Sequence, residues 1–206
     1  MKLYQALAKA FEREDIGTCF ALLGDANMHW AGALSELGTR MIYTRHEHAA
    51  VAGAVAFARS SGRVGCATVT CGPGLTQVMT ILPIAVRARI PVVIFAGEAP
   101  LKKPWYNQGI DQRPFVEACG ATYVALHDPA TMIDEVHRAF ATAKKHRTPV
   151  VLGVPFDLQQ GAFDGAIDGP TSTDLVRPPA PLDPDMAEIA EAAKLIESSQ
   201  RPSERR

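Results

Sequence analysis

The 206-residue chain is 47% hydrophobic and 21% charged, with a formal net charge of −1 at pH 7. That near-neutral balance gives neither nucleic acid nor an acidic membrane surface a footing as partner. No apolar run approaches the roughly 20 residues of a membrane span, and Met1-Lys2-Leu3-Tyr4-Gln5 lacks a signal-peptide core, so a cytoplasmic location is expected. The length suits one full domain plus a remnant. The four cysteines, Cys19, Cys66, Cys71 and Cys119, form no CxxC pair and sit in or beside apolar segments. Buried free thiols are expected rather than a zinc site.

Residues 3–13 carry a helical stripe of Leu3, Ala6, Leu7, Ala10 and Phe11. Thr18–Leu22 reads as a strand, Met28–Leu37 as a helix and Met41–Thr44 as a short strand. Glu47, Ala50, Val51, Ala54, Val55 and Ala58 form the stripe of the next helix, which stops near Ser60-Ser61-Gly62. Val64–Thr70 and Pro91–Ala96 are continuous apolar runs, as parallel strands covered on both faces require. Between them a helix is expected over Leu75–Arg87, bent at Pro83. Thr122–Leu126 is a further strand, and Pro129–Lys145 a long helix with Asp128 as N-cap. Val150–Pro155 closes the pattern. Six strands alternating with helices predict an α/β fold: a mostly parallel six-stranded sheet with helices on both faces.

After Pro155 the composition shifts. Gly161, Gly165, Gly169, Pro170, Pro178, Pro179, Pro181 and Pro184 mark a linker, taken as residues 159–184. One more helix is expected over Asp185–Ser198, with Met186, Ile189, Ala190, Ala193 and Ile196 on a face. A linker and a lone amphipathic helix read as the entrance to a second domain, residues 185–206.

Two glycine loops follow strands. Gly24-Asp25-Ala26-Asn27 comes after the first and Cys71-Gly72-Pro73-Gly74 after the third. Open α/β sheets place ligands at such carboxyl ends. An ordinary tight turn is the alternative for each, and neither loop spells GxGxxG or GxxxxGK[ST], which disfavours a dinucleotide or P-loop site. Glu47, in Arg45-His46-Glu47-His48, stands at a helix N-terminus, which favours its anion. Burial among apolar neighbours would favour the neutral acid. Solvent exposure would leave it only a first-turn glutamate.

Taken together, Arg45-His46-Glu47, Ala49-Ala50, Ala56-Phe57-Ala58-Arg59, Gly62-Arg63-Val64-Gly65, Thr70-Cys71-Gly72-Pro73-Gly74 and Pro91-Val92-Val93 resemble the N-terminal pyrimidine-binding domain of thiamine-diphosphate enzymes. The likeness is to the acetolactate synthase, benzoylformate decarboxylase and pyruvate decarboxylase group, and it covers residues 1–158. It implies that Glu47 hydrogen-bonds N1′ of the cofactor's aminopyrimidine and so promotes loss of the thiazolium C2 proton. Gly72, Pro73 and Gly74 match a loop packed near the aminopyrimidine, and Gln77 stands where many relatives have asparagine. Gly24, Asp25, Asn27 and His29 match the first active-site loop, and Gln108 a glutamine bordering the substrate pocket. For His29 a surface or core role is the alternative, and for His46 and His48 a structural role is expected.

The resemblance also implies a division of the site. Family members hold the diphosphate and a magnesium ion through a separate domain carrying Gly-Asp-Gly and later asparagines. Gly24-Asp25-Ala26 is not that motif, and no metal ligands are assigned in this chain. The chain is therefore expected to bind only the pyrimidine half of thiamine diphosphate and to meet a diphosphate-binding domain or subunit, as a homo-oligomer or within a larger assembly. It reads as a fragment or shortened form of a 2-oxo acid decarboxylase or carboligase, inactive alone. The alternatives are a pyrimidine-domain subunit of a two-subunit decarboxylase and a non-catalytic module with the same fold.

Overall fold

The computed structural model describes residues 1–176 and 183–200. The chain divides into two compact units after Val176. The first opens with α1 (Leu3–Glu12), β1 (Thr18–Ala21), α2 (Met28–Glu36), β2 (Arg40–Tyr43) and α3 (Glu47–Ser61). Then come β3 (Gly65–Val69), the single turn α4 (Pro73–Thr76), α5 (Ile81–Arg87) and β4 (Val92–Glu98). The series closes with α6 (Arg113–Ala118), β5 (Thr122–Ala125), α7 (Met132–His146), β6 (Pro149–Pro155), α8 (Phe156–Gln159) and α9 (Ser172–Leu175).

The six strands form one sheet in the order β2-β1-β3-β4-β6-β5. Every pairing is parallel. The predicted α/β class is the observed one. The apolar runs of β3, β4 and β6 follow from burial on both faces. Cys66, Val93, Phe95, Val150 and Leu152 face a core shared with α1, α2 and α7. Ala67, Val69, Val92, Ile94 and Val151 face a second core under α3, α5 and α6. On the first face Trp30 stacks on Phe95 with ring centroids 4.2 Å apart, and Phe11 meets Trp30 and Phe140 edge-on.

The Glu47–Ser61 helix begins and ends where its sequence pattern does. His46 Nδ1 accepts the His48 N–H at its start, and Gly62 ends it in the left-handed region at φ 72. The helix expected over Leu75–Arg87 is instead two, interrupted between Thr76 and Ile81. Pro83 does not bend it. Pro83 is the third residue of α5, where the backbone N–H has no partner within the helix, so its absence costs nothing. Pro129 likewise opens a short 3₁₀ turn before α7, with Asp128 Oδ1 accepting the Ala130 N–H at 2.9 Å. No sequence pattern announced α6, which buries only Val116.

Residues 161–176 pack onto α1 and α7. Arg13 donates to the Ile167 carbonyl and, at 2.6 Å, to that of Gly169. Glu14, whose side chain is wholly buried, lies 3.6 Å from Lys144 Nζ. The same carboxylate accepts the Ser172 N–H at 2.9 Å and the Ser172 hydroxyl. Pro178, Pro179 and Pro181 of the expected linker, and the tail 201–206, lie outside the described residues. In the second unit α10 (Met186–Ser198) takes up the predicted helix, and Asp185 accepts the Ala187 N–H as its N-cap.

Removing one member of a buried charge pair leaves its partners unsatisfied, at a cost of about 3 kcal/mol. Glu14→Ala is therefore expected to lower the melting temperature by roughly 6–12 °C, read by circular dichroism. An unchanged melting temperature would show that Glu14 does not fasten the 161–176 segment.

Candidate functional site

Because the strands run one way, the connections after β1, β2, β3 and β4 all open on one edge. The order β2-β1-β3-β4 makes them neighbours. The chain leaves β1 toward β2 on one side and resumes with β3 on the other, and that reversal opens a crevice between the two connections. Gly24 and the Gly72–Gly74 loop border it, and Glu47 starts α3 beside it.

Thr70 ties the two loops together. A Cβ on Gly24 would stand 2.7 Å from Thr70 Oγ1, and one on Gly74 would stand 2.7 Å from Thr70 Cγ2 and 3.4 Å from Glu47 Oε1. Glu47 is thus brought against the Gly72–Gly74 loop and is half-buried there. The Thr44 hydroxyl and the His48 N–H donate to His46, and the Glu47 carboxylate has no hydrogen-bond or ion-pair partner among the described residues. Thr70 Oγ1 is buried and unpartnered as well. Gly72 adopts φ 60 and ψ −113, a left-handed conformation that only glycine adopts without strain. A Cβ on it would meet the Gln108 carbonyl at 1.9 Å.

The other predicted residues divide. Gln108 reaches the loop, where its Oε1 accepts from Cys71 Sγ at 3.4 Å. Burial pushes the Cys71 thiol up, so it stays a neutral donor near pH 7. Beside Gln108 a cavity of about 580 Å³ is lined by Lys103, Trp105, Tyr106, Asn107 and Asp111. Asn27 is fully buried. Its Oδ1 accepts the Gly24 N–H at 2.8 Å, and its Nδ2 donates to the Leu22 carbonyl at 3.0 Å and to Thr68 Oγ1 at 2.9 Å. Its amide holds the Gly24 loop in shape. Asp25 and His29 are exposed, His29 against the Tyr4 ring at 5.5 Å. Pro73 and Gln77 are exposed too, one at each end of α4.

Sequence reasoning passed over Thr70 and Gln112. Gln112 Oε1 accepts the Gly72 N–H at 2.7 Å, and its Nε2 donates to Tyr123 Oη at 3.1 Å. Thr70 was visible only as the residue before Cys71-Gly72. Gln112 lies 40 positions from its partner, and nothing local marks it.

The site therefore offers a half-buried carboxylate and a buried hydroxyl, both without partners among the described residues, beside three glycines packed so closely on Thr70 and Gln108 that no side chain fits. An open α/β domain with such a cradle at its switch point is a cofactor-binding domain by fold and site. Comparison with known proteins makes the class specific. Residues 1–114 match the family described as "Thiamine pyrophosphate enzyme, N-terminal TPP binding domain". The chain is 31% identical over 203 residues to acetolactate synthase 3, chloroplastic, of Brassica napus, covering 95% of this chain and 31% of that protein. It is 32% identical over 208 residues to a probable acetolactate synthase large subunit of Methanocaldococcus jannaschii, covering 98% and 35%. With the acetolactate synthase large subunit of Parasynechococcus marenigrum it shares 33% over 209 residues, covering 96% and 33%.

The chain belongs to the thiamine pyrophosphate (thiamine diphosphate) enzyme family, as a cofactor-binding N-terminal domain of the acetolactate-synthase-like kind. It spans about a third of the length of these relatives. Its residues fit the family's cofactor. Gly24 and Gly74 let both loops close on Thr70, and the Thr70 hydroxyl and the Glu47 carboxylate gathered there have no protein partners among the described residues. No helix among the described residues is long and apolar enough to cross a membrane.

Burial, and next the negative charge of Glu98, push the Tyr123 hydroxyl far above the ordinary tyrosine value of 10.0. The folded state thus holds this proton more tightly than the unfolded chain. The resulting stability is complete below about pH 10 and is lost as pH climbs beyond it. In an alkaline absorbance titration Tyr123 should ionise only with unfolding, and Tyr123→Phe should remove that late step. Ionisation of all four tyrosines ahead of unfolding would contradict this.

Proposed function

We propose that the chain supplies the cofactor-activating half of a thiamine-diphosphate site, in an enzyme that makes or breaks the carbon–carbon bond beside the carbonyl of a 2-oxo acid. The observation that carries this reading is the meeting of Glu47 Oε1 with the Gly72–Gly74 loop, 3.4 Å from where a Gly74 Cβ would stand. Bound thiamine diphosphate supplies the electron sink for such chemistry. The chain's residues supply placement and one proton path. Glu47 would share a proton with N1′ of the aminopyrimidine. Its position at the start of α3 suits the anion that remains once the proton has moved. Gly24 and Gly74 let the two loops close on Thr70, which would offer its hydroxyl between them. The cavity bordered by Trp105 and Tyr106, whose lining residues Asn107 and Gly109 flank Gln108 in sequence, fits a place for the substrate.

Only the pyrimidine half is assigned to this chain. Among the described residues no three His, Cys, Asp or Glu side chains converge as ligands for a cation. A diphosphate- and magnesium-binding domain, on this polypeptide or another, would complete the site across the same sheet edge. Exposed Leu23, Tyr43 and Trp105 follow or end β1, β2 and β4 there and fit an edge that a partner covers. That geometry favours a homo-oligomer or a joint with a diphosphate-binding subunit.

A positioned acid contributes on the order of 10²–10⁴-fold to a proton transfer. Glu47→Gln is therefore expected to slow deuterium exchange at the thiazolium C2 of bound cofactor by at least ~100-fold in the completed site, read by proton NMR. For the chain alone, weak binding of thiamine diphosphate is expected, with no dependence on magnesium. Tight magnesium-dependent binding would sink the half-site reading.

A further inference from the structure

Gly72 holds a backbone conformation, φ 60 and ψ −113, that is one of several open to glycine, so a fixed loop needs something to select it. A buried side chain does so. Gln112 is 3% exposed, accepts the Gly72 N–H at 2.7 Å and donates to Tyr123 Oη at 3.1 Å. Tyr123 Oη donates in turn to Glu98 Oε1. The second oxygen of that carboxylate lies 2.6 Å from His127 Nε2. The chain of bonds has one direction only. Gly72 offers a hydrogen, so the amide oxygen must face it and the amide NH₂ must face Tyr123. The tyrosine oxygen then accepts, and its own hydrogen is left for the carboxylate. A flipped amide would set two donors against each other inside the protein.

The fold leaves room for this chain of bonds. A Cβ on Gly153 of β6 would stand 2.0 Å from Tyr123 Oη and 2.6 Å from Glu98 Oε1. The ladders joining β4, β6 and β5 are complete without Gln112. Its two hydrogen bonds therefore serve the loop and its support rather than the sheet.

We propose that Gln112 is a positioning residue for the Gly72–Gly74 loop, oriented by Tyr123 and Glu98. What the loop serves rests on the reading above; the hydrogen bonds themselves do not.

Amide hydrogen exchange on the ¹⁵N-labelled full chain tests it without cofactor. Gln112→Met keeps the shape but loses the acceptor, and should speed exchange at Gly72 by about tenfold. Gln112→Glu, as the neutral acid that burial and the nearby Glu98 charge favour, keeps both an acceptor for Gly72 and a donor for Tyr123, and should restore protection to within about threefold of wild type. Tyr123→Phe leaves Gln112 unoriented, should speed Gly72 by at least about threefold, and decides the matter if Gln112→Met does not fold. Amides of Cys66–Val69 should be unchanged throughout. Unaltered Gly72 exchange, equal acceleration in β3 or failure of the glutamate rescue would overturn the proposal.

Thiamine itself is the second probe, titrated against the Gly72–Gly74 amide shifts. Gln112→Met should weaken its binding about tenfold and Gln112→Glu should not. Equal affinity for wild type and Gln112→Met would overturn the positioning role. A wild-type chain that shows no shift with millimolar thiamine would defeat the cofactor reading, while the exchange pattern would still decide Gln112.

Discussion

Parallel pairing is the constraint from which the rest of the molecule follows. A parallel strand must be reached by a crossover, and crossovers here place helices on both faces of the sheet. With both faces covered, ligands can reach the backbone only at the strand ends. With all strands in one direction, every carboxyl-end connection emerges on the same edge. Glu47, Gly24, Gly72–Gly74 and Gln108 are scattered over 85 positions in sequence, from 24 to 108. They meet because β2, β1, β3 and β4 lie side by side.

The burial that builds the sheet also decides how its polar groups behave. Asn27, Thr68 and Gln112 lie inside, and each satisfies its hydrogen-bonding groups with partners from distant elements. Glu47 and Thr70 have no such partner among the described residues, although Thr70 is nearly as buried. Buried polar atoms left without partners are uncommon and call for a reason. Thr70 Oγ1 is one such atom, and it lies near the half-buried, unpaired Glu47 carboxylate, where the proposed aminopyrimidine would supply a partner.

Features written in local sequence were legible. The strand runs, the helix from Glu47 to Ser61 and the two glycine loops each show in a few adjacent residues. The interruption before α5 was not legible, because it lies in tight turns ahead of Pro83, where Val78, Met79 and Ile81 each bond three residues back, and not at the proline itself. Helix α6 escaped because a helix that buries only Val116 writes no stripe. In the site, Glu47 and the Gly72 loop could be named from sequence because their chemistry sits at one helix start and one turn. The roles of Asn27 and Gln112 could not. Asn27 bonds across 41 positions to Thr68 and Gln112 across 40 to Gly72, so their partners are supplied by topology.

Glu14 carries one more consequence, in time rather than in space. Its partner Ser172 follows it by 158 residues. A ribosome adding about 5–20 residues each second delivers Ser172 roughly 8–30 s after Glu14. For that interval the carboxylate that ends up wholly buried must stay in water, and the end of α1 cannot close. The nascent domain therefore remains unlatched at its first helix until almost the last of its own residues is made, a window in which a chaperone can still reach the surface that α1 will cover.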